Sequence, residues 1–564
     1  MVKGAASRSR CLMAGACLAF AGAVNAQQAP DAGQTIRQIE REAPALRLPP
    51  RSAPALSTEP LRPPLEAAPA ARIPVKSIRI TGVTALSVSE LAALVKDIEG
   101  REVSLDELER AAQRITQYYR ERGYVVARAY IPAQDIREGL VEIAVIEGRI
   151  GRVELRNRSL LNDRGAGQTL EAAVPGAVVQ EETLERGLLL LSDTPGVVVT
   201  RAGLQPGASV GTSDLVVDLD ATRAISGFAD LDNYGNRFTG VYRFGASGNL
   251  NSPLGIGDVL TARVIGSDGD FSYGRIAYQI PLGTSGLRVG AAYFDTRYRL
   301  GSDFAALNAN GEGNSTSAYA VYPVVRSRLA NLNAVASYEA KRLEDRVGAT
   351  GTLTSKSVDV FSLGVSGDAR DALGGGGVWN YSLTWTGGDL RIGSAAALAA
   401  DAAGPRANGG YGKVSYSVSR LQFLNDEMTL YAALSGQQAG KNLDSSEKFG
   451  LGGATGVRGY PPGEASGDEG YLASLELRRR MGAWGGGNLQ LALFHDWGSV
   501  KISHSPFAAG SNSRHIAGLG MGVNWAYEEA WVVRASLAWK AGSGPALSDT
   551  DRPTRFWVQA VRYF

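Results

Sequence analysis

Two side chains of opposite charge carry the chemistry most worth following in this sequence. Arg458 stands in Val457-Arg458-Gly459-Tyr460, inside a glycine-rich connection running from Lys441 to Gly470. Asp496 closes Phe494-His495-Asp496 on the segment Leu489 to Trp497. A period of two puts Leu489, Leu491 and Leu493 on one face of that segment and Gln490, Phe494 and Asp496 on the other. If the second face lines a pore, its carboxylate needs a partner. The planar Arg458 guanidinium can supply one through two parallel hydrogen bonds, which lysine cannot match. The chemistry on offer is mechanical, a loop pinned inside a channel. Loops of this length are usually functional or disordered, and an Arg458 that is simply solvated is the alternative.

Other constellations fail on context. Gly207-Ala208-Ser209-Val210-Gly211 has nucleophile-elbow spacing, yet a strand, Leu215 to Leu219, follows where that motif needs a helix. A glycine-rich hairpin turn explains it better. Asp230, Asp232 and Asn233 hint at a calcium loop, but Val241 stands where the bidentate glutamate belongs. Gly436 to Lys441 is too short for a phosphate-cradling loop and lacks the following hydroxyl residue. His495, His504 and His515 are too few and scattered for zinc. No catalytic residue, metal or cofactor is expected, and the chain does not read as an enzyme.

The elements that must position Arg458 and Asp496 lie between Thr222 and Phe564. Helical periodicity vanishes there and short segments alternate. Leu260, Ala262 and Val264 oppose Thr261 and Arg263; Tyr471, Ala473, Leu475 and Leu477 oppose Ser474, Glu476 and Arg478; Val533, Ala535, Leu537 and Trp539 oppose Arg534, Ser536 and Lys540. An apolar face in lipid and a wet interior fit this pattern, so the fold class is a transmembrane antiparallel β-barrel of about 16 strands. A soluble β-sandwich or propeller is the competing reading. The last strand, Arg555 to Phe564, ends on an aromatic, although Arg562 occupies an outward position where an apolar residue is usual.

Upstream, residues 1–26 read as a signal peptide: Lys3, Arg8 and Arg10, an apolar stretch from Cys11 to Val24, then Val24-Asn25-Ala26 as the cleavage site. Both cysteines lie there, so no disulfide is expected in the mature chain. Removing three basic residues from 58 against 56 acidic ones leaves it nearly neutral, and no nucleic-acid partner is indicated. Residues 27–74 hold a short helix, Asp31 to Ala43 with Ile36 and Ile39 on one side, then a proline-rich tether. Residues 75–147 and 148–221 repeat one α+β unit of roughly 73 residues. In the first copy the expected elements are a strand at Val75 to Gly82, a helix at Ser87 to Ile98, a second helix opened by a Ser104/Glu107 capping box, and strands at Val125 to Ile131 and Leu140 to Ile146.

Taken together these features resemble the outer-membrane transporters of two-partner secretion, the haemolysin activator/secretion protein family. The resemblance rests on the short helix, the proline linker, two modules of the polypeptide-transport-associated (POTRA) kind, the Val457-Arg458-Gly459-Tyr460 loop and Phe494-x-Asp496. It implies that residues 441–470 fold into the barrel at 222–564, locked by Val457, Arg458, Gly459, Tyr460, Phe494 and Asp496. It implies that the helix, through Ile36, Arg37 and Ile39, plugs the pore. The modules, in the periplasm, would capture an unfolded secreted exoprotein of the β-helical type. An edge strand at Val125, Val126, Ala127, Arg128, Ala129, Tyr130 and Ile131 could accept the client by strand addition. Phe564 would be read by the barrel-assembly machinery, the barrel would sit in outer-membrane lipid as a monomer, and no nucleotide would be hydrolysed. A barrel-protein insertase of the same superfamily and a diffusion porin are the alternatives.

Overall fold

The computed structural model describes residues 30–42, 54, 57–58, 72–136, 138–170, 173–542 and 544–564. The expected signal peptide and most of the proline-rich tether lie outside the described residues. Helix α1 (Ala32–Glu42) is capped by Asp31, whose carboxylate accepts from the Gln34 N–H at 2.9 Å. A two-residue strand, β1 (Ser57–Thr58), is the next described element of the tether.

Two α+β units follow. The first contains β2 (Arg72–Val75), β3 (Ser77–Thr81), α2 (Val88–Ala93), β4 (Arg101–Ser104), α3 (Leu105–Glu121), β5 (Arg128–Tyr130) and β6 (Leu140–Ile146). Helix α3 starts at the expected capping box, Ser104 and Glu107 each accepting the other's backbone N–H. Its apolar stripe, Leu108, Ala111, Ala112, Ile115 and Tyr119, buries against the sheet. The second unit contains β7 (Arg149–Arg158), α4 (Asp163–Thr169), α5 (Glu181–Ser192), β8 (Val197–Pro206) and β9 (Thr212–Ala221). Gly207 to Gly211 is the turn of the β8–β9 hairpin. The units meet around Glu147, which accepts from the Thr84 and Ala85 N–H groups at 2.7 Å and from the Tyr119 hydroxyl at 2.9 Å. Burial alone raises this carboxyl, but those bonds outweigh it and leave it below the usual glutamate range.

Three sequence expectations change here, the first being that the helix expected at Ser87 to Ile98 ends at Ala93, with a separate 3-10 turn at Lys96–Ile98. The first strand is broken at Lys76, so β2 pairs with β4 while β3 pairs with β6. The expected strand Val125 to Ile131 shrinks to β5. Val125 and Val126 form a turn in which the Ala127 N–H donates to the Tyr124 carbonyl at 3.0 Å. They pack against the core of the second unit, Ala127 is fully buried and Ile131 lies past the strand. Apolar β-branched residues there serve a junction between units, which strand propensity cannot distinguish from a ladder. β5 is an edge strand of its sheet, with Arg128 and Tyr130 exposed and Ala129 facing the core. In the second unit the equivalent edge, β8, is covered by β1, which pairs with Gly203 and Leu204 in parallel.

Sixteen antiparallel strands then close into a barrel. They are β10 (Ile225–Asp232), β11 (Arg243–Asn251), β12 (Val259–Ser267), β13 (Phe271–Pro281), β14 (Arg288–Arg299), β15 (Ala309–Arg326), β16 (Ala330–Val347), β17 (Thr352–Asp371), β18 (Gly377–Ile392), β19 (Gly409–Phe423), β20 (Met428–Ala439), then β23 (Glu469–Trp484), β24 (Gly487–Lys501), β25 (Ser513–Tyr527), β26 (Trp531–Lys540) and β27 (Thr554–Tyr563). Two short strands inside the long connection, β21 (Phe449–Gly450) and β22 (Ser466–Gly467), pair with each other. β10 meets β27 over five residue pairs, extended by mutual backbone bonds of 3.0 Å between Gly227 and Phe564.

Large apolar side chains remain exposed in rows on the outward face, among them Leu475, Leu477, Leu491, Leu493, Leu519, Met521 and Val523. Such a band needs lipid. Arg562 sits in that band with its guanidinium 5.4 Å from the Trp531 ring, an aromatic partner for a charge at the interface. The second unit is fastened to the module-side rim by Arg326 on Asp193 (2.6 and 2.8 Å) and by Arg328 on Glu185 (2.8 Å).

Candidate functional site

The connection between β20 and β23 turns inward, and its tip is held on the barrel wall. The Arg458 Nε and Nη2 atoms donate to the two Asp496 oxygens at 2.7 Å each, the bidentate fork expected of arginine. The Arg458 backbone N–H adds a third bond to the same carboxylate at 3.2 Å. Its Nη1 reaches Glu476 at 2.7 Å, and the Ser474 hydroxyl donates to Asp496 at 2.7 Å. The guanidinium lies 3.3 Å from the Phe494 ring centroid, so Phe494 serves as a stacking floor. The side chains of Arg458 and Asp496 are 15% and 1% exposed, which makes this a desolvated pair rather than a surface contact.

The flanking motif residues fix the approach. Val457 and Tyr460 are fully buried. The Tyr460 hydroxyl donates to the Gly544 carbonyl at 3.1 Å, and the Trp557 indole donates to the Arg458 carbonyl at 2.8 Å. Gly459 presses against β26: a Cβ there would meet the Trp539 carbonyl oxygen at 2.8 Å, so only glycine lets the tip lie this close.

The base of the loop is anchored with the charges reversed. Lys356 pairs with Asp444 at 2.7 Å. Lys341 and Lys413 both pair with Glu447, at 3.1 and 2.7 Å, and all three side chains are nearly fully buried. Lys413 and Gln437 also donate to the Glu447 carbonyl, each at 2.9 Å. Asp468, at the other end of the loop, accepts from Lys448 at 2.6 Å and from the Leu443 and His504 N–H groups.

Helix α1 lies in the barrel and rests on this base. Ala32, Thr35, Ile36 and Ile39, one helical stripe, are buried. Ala32, Ile36 and Ile39 cluster with Ile265, Phe271, Tyr273, Phe294, Tyr298 and Leu343. The barrel interior is therefore not uniformly wet. It carries an apolar patch where the helix docks, a departure from simple alternation that the helix itself requires. The Ala32 N–H donates to Asp345 on β16 at 3.0 Å, Arg37 donates to the Lys448 carbonyl at 3.4 Å, and Gln38 donates to the Tyr234 carbonyl at 2.9 Å.

A family model described as haemolysin secretion/activation protein ShlB/FhaC/HecB matches residues 211–525, and one described as POTRA domain, ShlB-type, matches residues 73–148. The chain belongs to the haemolysin secretion/activation protein family. A heme/hemopexin transporter protein HuxB of Haemophilus influenzae is 27% identical over 548 residues, 95% of each chain. The outer membrane transporter CdiB of Dickeya dadantii is 25% identical over 412 residues, 71% of each. Among solved structures, CdiB from Escherichia coli superposes with a TM-score of 0.72 at 18% identity, covering 94% of this chain and 95% of that one, a likeness of fold. As a member of this family the chain is an outer-membrane secretion channel, with its modules on the periplasmic side and a secreted exoprotein as its partner. This favours the translocator over an insertase or a porin.

Seen as a secretion channel, the chain has more of its loop fastened than the motif announces. Glu476, Asp444, Glu447, Lys341, Lys356 and Lys413 were not singled out by sequence reasoning. Glu476 could have been found, since it shares the inward face of Ser474 and lies next to the Asp496 strand in register. The three lysines come from β16, β17 and β19, and no sequence signal brings them together. The aspartates of the calcium-like stretch are taken by arginines: Asp232 by Arg243 at 2.9 Å and Asp230 by Arg263 at 2.7 Å. Among the described residues no group of acidic or histidine side chains has metal-site geometry.

Proposed function

We propose that this channel secretes an unfolded exoprotein from the periplasm to the cell surface through its own barrel, and that the loop and helix α1 are its removable stoppers. The observation that carries the reading is the desolvated fork of Arg458 on Asp496, which holds the tip of the loop inside the lumen. Helix α1 would leave on the proline tether, and the loop would shift once the tip bond opens. Clients would be captured by strand addition on the module edges. Two edges differ in availability: β5 is short and has no further strand beside it among the described residues, whereas β8 is long and covered at Gly203 and Leu204 by β1 of the tether. A client adding along the whole of β8 would displace β1 from Gly203 and Leu204, which links client arrival to the helix at the other end of the tether. The energy would come from folding of the client outside the cell. Phe564, bonded across the closing seam, would be the feature that the assembly machinery reads, and the barrel would act as a monomer.

Deletion of residues 75–221 tests the capture role. Secretion of the exoprotein into the medium should be abolished while the barrel still inserts and resists proteolysis. Undiminished secretion by that deletion would show that the modules capture nothing.

A further inference from the structure

The module-side end of the lumen holds two arginines that neither stopper uses. A cavity of about 750 Å³ opens beneath the loop tip, between Ala454, Thr455 and the walls formed by β23 to β27. Four arginines line it, Arg458, Arg478, Arg480 and Arg534, against a single carboxylate, Glu476. That carboxylate is taken, held at 2.7 Å by both Arg458 and Arg478. Arg480 and Arg534 meet no carboxylate among the described residues, and both are exposed to the lumen.

Strand register places these two arginines in an ordered row. Arg480 lies opposite Gln490, Gln490 opposite Asn524, Asn524 opposite Arg534, and Arg534 opposite Gln559. Adjacent strands stand about 4.8 Å apart, so the row runs about 19 Å around the wall. The strand order puts it on the side of the modules: β23 descends to the Gly485-Gly486 turn just below Arg480, and β26 rises from Trp531 just below Arg534. The row is guanidinium, amide, amide, guanidinium, amide. Carboxamides donate to and accept from peptide groups, whereas guanidiniums that lack an internal partner recruit carboxylates.

We infer that this row is an entry collar for an extended polypeptide segment bearing acidic side chains. Gln490 and Asn524, which otherwise bond each other at 3.3 Å, turn to its backbone without regard to sequence, and Arg480 and Arg534 select its charge. The inference rests on the secretion reading, deepening it by naming the chemistry that the channel prefers in its client. In this position the collar meets a client after the modules and before the loop, and it draws acidic segments up to the Arg458 lock.

Photo-crosslinking tests it. Full-length protein in lipid nanodiscs, with Ser536 in the cavity wall replaced by a photoreactive amino acid, would be offered two synthetic unstructured peptides. One is rich in glutamate, serine and glycine; the other has lysine in place of each glutamate. The acidic peptide should crosslink several-fold more than the basic one, and the preference should fade at high salt. Arg480→Gln with Arg534→Gln should bring the two yields together without disturbing barrel assembly. Equal yields with the parent row intact, or a preference that persists in the double variant, would overturn charge selection. Neither peptide crosslinking would overturn the collar itself. Either result would leave the secretion reading standing wherever the cells still secrete the exoprotein, and that is measured separately.

Discussion

The luminal loop is fastened at two places by the same kind of bond with opposite polarity. At the tip the loop brings the cation, Arg458, and the wall brings Asp496 and Glu476. At the base the loop brings the anions, Asp444 and Glu447, and the wall brings Lys356, Lys341 and Lys413. Reversal fixes the register. A loop that slid along the wall would carry its arginine toward lysines or its carboxylates toward Glu476 and Asp496, and like charges in a desolvated lumen repel strongly. The two ends also differ in their load. Helix α1 packs on the base, at Ser445 to Glu447. The tip therefore closes the path along the wall, and the base carries the second stopper.

The largest effect should come from the tip. Arg458→Ala leaves Asp496 buried without its cation, and Asp496→Ala leaves the guanidinium without its fork. Loss of one member of such a pair costs about 3–5 kcal/mol. Each single variant should show frequent open-channel events in planar bilayers and impaired secretion, with the barrel still assembled. The double variant should be no worse than either single one, because both remove the same interaction. Additive losses would show that the two residues act apart, and the contrast between tip and base would lose one of its sides.

The two ends were not equally legible in the sequence. Arg458 and Asp496 could be considered together because each sits in a compact local pattern: a glycine-rich turn sequence for one, strict alternation for the other. The base has no such pattern. Glu447 pairs with lysines from strands separated by several hairpins, and such a contact exists only once the barrel has closed with its shear. The helix was legible as amphipathic, but its dock was not, since Phe294 and Tyr273 break the polar inner face that alternation predicts. Val125 to Ile131 misled for the opposite reason. Its composition is that of a strand, but Val125 and Val126 are spent on the junction between the modules and only Arg128–Tyr130 pairs. The sixteen-strand count followed from length and period, although β15 to β17 run 18 to 20 residues, well past the span that lipid thickness requires.

A smaller effect is expected at the base. Glu447→Gln removes the anion between Lys341 and Lys413 but keeps an acceptor oxygen of the same shape. Glu339 remains 3.3 Å from Lys341, and the backbone carbonyl of residue 447 still accepts from Lys413. Lys413 keeps only carbonyl acceptors in its buried site, so stability should fall by about 3–5 kcal/mol as at the tip, and the smaller effect is on channel opening. Protease accessibility of residues 32–42 should rise more than the frequency of full opening, because the tip remains locked. A Glu447→Gln protein that opens as often as Arg458→Ala would mean that tip and base are one device.

The smallest and most selective change is Gly33→Ala, which touches the helix and leaves both loop anchors alone. A Cβ at Gly33 would lie 2.7 Å from the Ser446 nitrogen and 2.8 Å from its Cα, and both are backbone atoms that cannot swing aside. Overpacking of this kind costs about 1–3 kcal/mol, and here the helix can relieve it by leaving. Helix exit should increase, read as cleavage at residues 32–42, while Arg458 and Asp496 hold the loop and full openings stay rare. Ser446→Gly removes the Cβ, itself 2.8 Å away, but keeps the nitrogen and Cα in place. It should therefore rescue the Gly33→Ala helix only in part. Complete rescue would place the clash on the side chain alone, and then the base would carry the helix by a contact far more forgiving than the one between Gly33 and the Ser446 backbone.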